Sequence, residues 1–374
     1  MLVNAFNAAH VNEINVALTV VPRDQYLQQT GAAASVGNLP DLLAANVIDG
    51  PNYSSSGLWM DITDRVEGLD FADMLAPAHL RAATLDDKYF AVPHVMDVSA
   101  MYYNTVLFER AGLDPASPPA TMEEFAEAAQ TIADLGPEYG GLYLPGNCAG
   151  CLVFTLFPSI WGSGGTVMDE DGTEGTLDSE EAREVFGIYH EMFASGAMVD
   201  ESRNETGATQ NSVFESGNVG FALLGSKALG QLTPNENLQI GVAPIPSLTG
   251  DPSTFVGGDI VGITPDSDHP EEAWTFLEWT LQEAQQLDIY AANKFMPIRT
   301  DLAENEFAAE DERLLLLNSL IQHGQTPYSP RFFQTFNDPT GGPWLEVARD
   351  AIFGSGPDGL DDGNARITQS LQAD

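Results

Sequence analysis

The chain has 374 residues and a mass of 40.1 kDa, a length that suggests about two domains at roughly 150 residues each. Its 43% hydrophobic and 9% aromatic content supplies a sizeable core and excludes a wholly disordered chain. Against 55 acidic residues stand 14 basic ones, a net charge of −41; a field of that sign repels phosphate backbones and anionic membrane surfaces, so no nucleic-acid partner is expected.

Strand and helix signals then alternate along the chain, which argues an α/β fold. EINVALTVV (13–21) reads as a strand and RDQYLQQTGAAAS (23–35) as a helix with its apolar side at Tyr26 and Leu27. LPDLLAAN (39–46) reads as a short buried strand. KYFAVPHV and VSAMYYN are β-rich and flank a proline-containing bend. TMEEFAEAAQTIADLG is a marked helix: Thr121 caps it, Glu124 completes a capping box and Gly136 stops it. LDSEEAREVFGIYHEMFASG repeats the pattern with Asp178 as cap, Glu181 three residues on and Gly196 as stop. NVGFALLG, LQIGVAPIP and GGDIVGIT are short strands. HPEEAWTFLEWTLQEAQQ is a helix with Pro270 in its first turn and an apolar stripe at Ala273, Trp274, Leu277 and Leu281. Helices are expected at 310–323, 343–353 and 360–372.

The acidic residues are spread along the whole chain. They read either as a solvated surface that aids solubility or, more pointedly, as adaptation to high salt, where screening removes the self-repulsion of so many like charges. No run of about 18 apolar residues occurs, so no helix is expected to span a bilayer. The N-terminus MLVNAFNAAHVNE lacks the pattern of a signal peptide, which leaves a cytosolic protein or one whose leader is not in this sequence. Cys148 and Cys151 lie in GNCAGC. A short-loop disulfide, favouring an oxidising compartment, is the leading reading, with a redox-active pair and two free thiols as alternatives. A structural zinc site needs four ligands; there is no second Cys pair and the six histidines lack ligand spacing, so no metal and no cofactor are expected.

Catalytic motifs are mostly absent. There is no G-x-S-x-G elbow, no H-E-x-x-H and, since none of the three lysines follows a glycine, no phosphate-binding Walker loop. GSGPDG (354–359) follows a helix and is broken by Pro357, so it reads as a linker turn rather than a dinucleotide loop. MDEDGTEGTLD (168–178) mimics the start of a calcium loop, then loses the ligand spacing, and reads as a β-turn before a capped helix. Paired carboxylates for glycoside hydrolysis are abundant by chance and none is marked above the rest.

Several segments taken together resemble the extracellular solute-binding protein family of ABC importers, on its sugar-binding, maltose-binding-protein-like side. FNAAHVNEINVALTVVPRDQYLQQTGAAASVGNLPDLLAAN looks like the family's opening. YFAVPHVMDVSAMYYNTVLFERAGLDPASPPATMEEFAEAAQTI is similar to its most distinctive stretch, an aromatic strand ending Tyr-Asn followed by a short helix, a proline-rich loop and a capped helix. WGSGGTVMDEDGTEGTLDSEEAREVFGIYHEM, FESGNVGFALLGS, GGDIVGITPDSDHPEEAWTFLEWTLQEAQQ, FMPIRTDL and GPWLEVARDAIFG continue the series in order. The resemblance implies a two-lobed α/β fold of the periplasmic-binding-protein type (type II), with a ligand cleft between lobes and hinge closure. It places residues 1–104 and 256–305 in an N-terminal lobe and 105–255 and 306–374 in a C-terminal lobe. Chain crossings fall after Tyr103-Asn104, near Phe255–Gly258 and near Asp301–Glu310. The family also has a strand before its first helix and a secretion leader before that, so both are expected upstream of Met1.

Sugars are held by aromatic faces on their C–H patches and by side-chain hydrogen bonds to hydroxyls. By resemblance Asp97, in the bend before the aromatic strand, faces the cleft; otherwise it is a turn aspartate. Gly258 lets backbone approach a ligand, and Asp259 follows it. Trp161 either stacks on a sugar or anchors the core. Tyr53 and Trp59 border the cleft or pack on the surface. Ser226 and Lys227 stand at a cleft edge. Arg331, Phe332 and Phe336 form an irregular aromatic stretch, one of which lines the cleft, and Asn147 lies beside the cysteine pair. Trp274, Trp279 and Trp344 read as helix-packing residues.

The reading is therefore a non-enzymatic, monomeric, extracytoplasmic and lipid-anchored substrate-binding subunit of an ABC importer. It takes a sugar or oligosaccharide as its small-molecule ligand and the ABC permease as its partner. The alternatives are a binding protein for a polyol, a glycerophosphate or a polyamine, a carbohydrate-active enzyme, and a cytosolic regulator with a borrowed binding fold.

Overall fold

The computed structural model describes residues 1–21, 23–338 and 342–373, with the side chains of Arg23, Asp24 and Leu27 outside that description; the apolar side expected at Leu27 therefore lies outside the described residues. The chain divides into two compact units. One holds Met1–Met96 and Gly258–Asn318, the other Asp97–Gly257 and Ser319–Asp374. The chain passes from one to the other three times, twice within β-strands, Val92–Asn104 and Thr254–Ile263. No low-complexity linker is needed for such crossings.

In the first unit the strand Leu42–Asn46 pairs antiparallel with Asp259–Ile263, Asn46 opposite Asp259 and Leu42 opposite Ile263. The helix Pro270–Leu281 turns Ala273, Trp274, Leu277 and Leu281 inward, the stripe its spacing predicts. The opening helix Leu2–Ala9 buries Phe6, which meets Phe276 and Trp279 edge-on at 5.0 and 5.3 Å. Tyr53 and Trp59, each 2% exposed, pack ring to ring at 5.1 Å, and the Trp59 indole N–H donates to the Leu43 carbonyl at 2.9 Å. Tyr53 and Trp59 are thus core residues, on neither the surface nor a loop bordering a ligand.

Residues 13–21 form no strand. The alternation of apolar residues is present, but among the described residues no neighbouring strand pairs with the segment, and Leu18 and Val20 are exposed. A strand is completed by its ladder, which local sequence does not supply. The bend expected at Pro93 is also absent. Val92–Asn104 is one continuous strand with Pro93 at its second position, where the missing N–H is tolerated.

In the second unit Met101–Tyr103 pairs antiparallel with both Phe221–Leu223 and Gly241–Ala243, and Gly140–Tyr143 runs parallel to the strand Val219–Gly225. The helix Met122–Ala133 starts with the full capping box, Thr121 accepting from Glu124 N and Glu124 accepting from Thr121 N. The helix Glu180–Ala194 is capped by Ser179 rather than Asp178. Ser179 has the extended backbone a cap requires, while the Asp178 carboxylate accepts a hydrogen bond from Asn364 at 3.0 Å. The helix Ala149–Gly162 is buried along most of its length. Phe157 on it meets Trp161, Phe336 and Trp344 at 5.7, 5.5 and 5.0 Å, and the Trp344 indole N–H donates to the Ala149 carbonyl. GSGPDG is a turn between the helices Pro343–Phe353 and Leu360–Leu371. The 168–178 stretch is a turn closed by Asp169, whose carboxylate accepts from the Thr173 and Glu174 amides.

Cys148 and Cys151 are disulfide-bonded at the start of the Ala149–Gly162 helix. The loop after Ser202 lies against them. Gly207, at φ +87°, approaches so closely that a Cβ there would stand 2.9 Å from the Cys151 sulfur. Glu205 anchors that loop by accepting from the Tyr143 hydroxyl at 2.7 Å and the Thr209 amide at 3.0 Å.

Ion pairs among the described residues join Arg65 to Glu271, Lys88 to Asp61, Arg299 to Asp301, Arg313 to Asp311 and Arg366 to Glu346. With 55 acidic residues, most carboxylates have no cation to pair with, and their mutual repulsion weakens as salt screens it. Thermal melts followed by far-UV circular dichroism are expected to rise from dilute buffer to high salt; identical melts would remove salt adaptation. Thr121→Ala, which deletes the side-chain acceptor of the capping box, is expected to cost about 1 kcal/mol in urea unfolding.

Candidate functional site

Candidate ligand-contacting groups occur in each unit. In the second, Asp97 lies mid-strand in Val92–Asn104, not in a bend. Its carboxylate accepts a hydrogen bond from the Ser226 hydroxyl at 2.6 Å, and Lys227 Nζ stands 4.0 Å away. Ser226 is fixed by its own backbone, its amide donating to Val98 O at 2.8 Å. Tyr102 holds the same turn by donating to the Gly225 and Ser226 carbonyls at 3.0 and 3.3 Å. Gly225 makes room: a Cβ there would sit 2.8 Å from one Asp97 oxygen and 2.9 Å from the other.

Burial pushes the Asp97 carboxyl up from the usual carboxylate range. The Ser226 hydroxyl, the Lys227 ammonium and the amides of residues 227 and 226 pull against it. The result is a nearly enclosed carboxylate with one lysine partly compensating its charge, suited to accepting hydrogen bonds from hydroxyl groups. Phe154, part-exposed on the Ala149–Gly162 helix, comes up to the same strand crossing. A Cβ on Gly257 would meet the Phe154 ring at 3.0 Å and the Asp97 carbonyl at 3.8 Å. An aromatic face and a carboxylate-bearing strand thus meet at Gly257.

In the first unit Tyr26, Asp49, Tyr53 and Asp259 form a second group. Tyr26 donates to the Ala44 carbonyl; burial, then the charges of Asp259 and Asp49, push its hydroxyl up to about 12. Tyr53 is raised by burial, by Tyr26 and by Asp49, against a hydrogen bond with Thr30. The Asn46 side chain caps the turn that carries Asp49, accepting from the Ile48 amide at 3.3 Å. His94, 3.4 Å from the Tyr290 hydroxyl, is pushed down to about 4 by burial and is neutral at pH 7. Gly258, at φ +115°, is required by protein rather than ligand: a Cβ there would collide with the Val95 carbonyl and lie 3.0 Å from Met96 Cα.

The other sequence candidates are placed elsewhere. Phe332 and Phe336 are fully buried and stacked at 5.0 Å in the core around Phe157, so neither lines a ligand surface. Arg331 is half-buried beside them. Asn147 is exposed, with its amide donating to the Glu205 carbonyl at 2.8 Å. Trp161 stacks on Phe255 at 5.8 Å and forms the wall of a separate pocket within the second unit. No cluster of metal-ligating side chains occurs among the described residues. Tyr26, Asp49, Phe154 and Gly225 join these candidate groups in the structure without being singled out by the sequence. Phe154 carries a signal, standing seven residues before Trp161 on one helical face; Gly225 carries one only once its strand partner is known.

Residues 1–315 match the family described as bacterial extracellular solute-binding protein, and the chain belongs to that family, whose members are solute-binding components of ABC importers located outside the cytoplasm. A binding protein of Brucella abortus is 27% identical over 319 residues, 82% of this chain and 74% of that protein. The arabinooligosaccharide-binding protein of Halalkalibacterium halodurans is 25% identical over 317 residues, 80% of this chain and 67% of its own. Among solved structures, the cyclic alpha-maltosyl-1,6-maltose binding protein of Arthrobacter globiformis has a TM-score of 0.84 at 23% identity, covering 99% of this chain and 93% of its own. That likeness shows the fold, the α/β class of two-lobed binding proteins. The family and these relatives are binding proteins rather than enzymes.

Asp97→Asn tests the site's electrostatics. A carboxyl raised in the folded state contributes stability below its unfolded pKa, and that contribution is lost as pH rises through the folded pKa. The wild-type protein is therefore expected to lose stability relative to Asp97→Asn between acid and neutral pH, measured by paired urea titrations. A difference independent of pH would place Asp97 in an unshifted environment.

Proposed function

We propose that the chain captures a small carbohydrate, a sugar or oligosaccharide, and delivers it to the membrane permease of an ABC importer, without covalent chemistry. The observation that carries the reading is the enclosed Asp97 carboxylate, held by Ser226 and Gly225 on the strand that meets the half-exposed Phe154 at Gly257. Carboxylate plus aromatic face is the chemistry that recognises hydroxyls on one side of a sugar ring and C–H groups on the other. Tyr26, Asp49 and Asp259 offer the same chemistry in the first unit, with the buried Tyr53 behind them. The oligosaccharide-binding relatives support the ligand class. The absence of a nucleophile motif in the sequence favours binding over turnover. The protein acts as a monomer in this reading.

A thermal-shift panel in high salt, covering neutral mono- and oligosaccharides, polyols, glycerol phosphate and polyamines, tests it. A ligand at about 1,000 times its dissociation constant adds roughly 4 kcal/mol to stability, so a saccharide is expected to raise the melting temperature plainly. Asp97→Ala and Phe154→Ala are each expected to weaken that saccharide at least about tenfold, near 1.4 kcal/mol, with the circular dichroism spectrum unchanged. A shift confined to glycerol phosphate or polyamines would redirect the ligand class, and release of a product would reject pure binding.

A further inference from the structure

A pocket of about 420 Å³ opens within the second unit beside the end of the Ala149–Gly162 helix. Its walls come from Trp161–Gly164, from Thr249 and Asp251–Ser253, and from Gln322–Gln325. None of Asp97, Phe154, Ser226 and Lys227 lines it. Phe154 and Trp161 stand seven residues apart on one helix, about 10 Å along its axis. The volume lies in the range of small-molecule sites.

Two polar groups in the wall are unsatisfied. Trp161 is 9% exposed and its indole N–H makes no hydrogen bond among the described residues, yet it is not among the side-chain atoms sealed from solvent. The indoles of Trp59 and Trp344, by contrast, both donate to carbonyls. Ser253, also in the wall, is 3% exposed and its hydroxyl oxygen is buried without a partner. The Ser253 hydroxyl, sealed and unpaired, carries a cost of about 1–3 kcal/mol, whereas the Trp161 N–H is open to solvent and so to an occupant. The neighbouring polar groups are already set. The Thr249 hydroxyl stands 2.9 Å from the Gly162 carbonyl and 3.0 Å from an Asp251 carboxylate oxygen, its one proton shared between them, and accepts from the Asp251 amide at 3.2 Å. No lysine or arginine lines the walls; His323 is the one basic side chain among the lining residues, and the Asp251 carboxylate stands opposite in charge.

We infer that this pocket is a second binding site, distinct from the Asp97 group, for a small uncharged polyhydroxylated molecule. Its hydroxyl oxygens accept from the Trp161 indole and Ser253, and its hydroxyl protons go to Asp251.

The test is a heteronuclear NMR titration of the whole chain with labelled tryptophan. The chain has five tryptophans, and the indole cross-peak lost in Trp161→Phe is that of Trp161. With D-glucose and glycerol as probes, this peak is expected to move saturably with at least one of them. It is expected to do so with the same midpoint in Asp97→Ala, and to stay fixed with inorganic phosphate. Ser253→Ala is expected to raise the midpoint several-fold. A peak that moves with neither probe overturns the inference, and so does a peak whose response disappears in Asp97→Ala, which would assign the effect to the other site.

Discussion

A carboxylate removed from water has to be held by something, and in the second unit the holding of Asp97 fixes its surroundings. Its position mid-strand gives it a rigid backbone. Its desolvation demands donors, and the turn after Val219–Gly225 supplies them as the Ser226 hydroxyl and two amides. That turn must lie close, so residue 225 has no side chain, and Tyr102 pins its carbonyls. Lys227 then stands near enough to offset the charge without sealing it. Each feature follows from the cost of burying one ionised group.

The two candidate groups use different devices. The first unit relies on tyrosines pressed against carboxylates, with the Tyr26 and Tyr53 hydroxyls kept firmly protonated and therefore donors. The second presents a carboxylate acceptor with a lysine beside it. A ligand rich in hydroxyl groups, each both donor and acceptor, can satisfy either. His94, neutral through burial, adds no positive charge to the first unit at pH 7.

Much of the fold was legible in the sequence because it is written locally. The capping box at Thr121 and Glu124, the Pro270 start and the inward stripe at Ala273, Trp274, Leu277 and Leu281 are all set by residues within a few positions of one another. What misled was non-local. The 13–21 segment has strand composition but pairs with no strand among the described residues. Asp178 and Ser179 are both good caps, and the choice was made by Asn364, far along the chain. The site was less legible still. Asp97 and Ser226 stand together as hydrogen-bonded neighbours, but Phe332 and Phe336, read as an irregular aromatic stretch, belong to an aromatic core around Phe157. Gly258 reads as a place for close backbone approach, and in the fold the Val95 backbone makes that approach.

The loop that crosses the cysteine pair carries a consequence for descent. Gly207 has a backbone conformation that disfavours side chains and no space for one beside the Cys151 sulfur. The disulfide and the glycine therefore constrain each other: with the sulfurs in place, position 207 is confined to glycine. Once serine or alanine replaces the cysteines, the steric part of that confinement relaxes and only the backbone preference remains. Lineages that lose the cysteine pair are accordingly expected to let residue 207 drift toward asparagine or aspartate, which tolerate a left-handed backbone, while those that keep the pair hold the glycine.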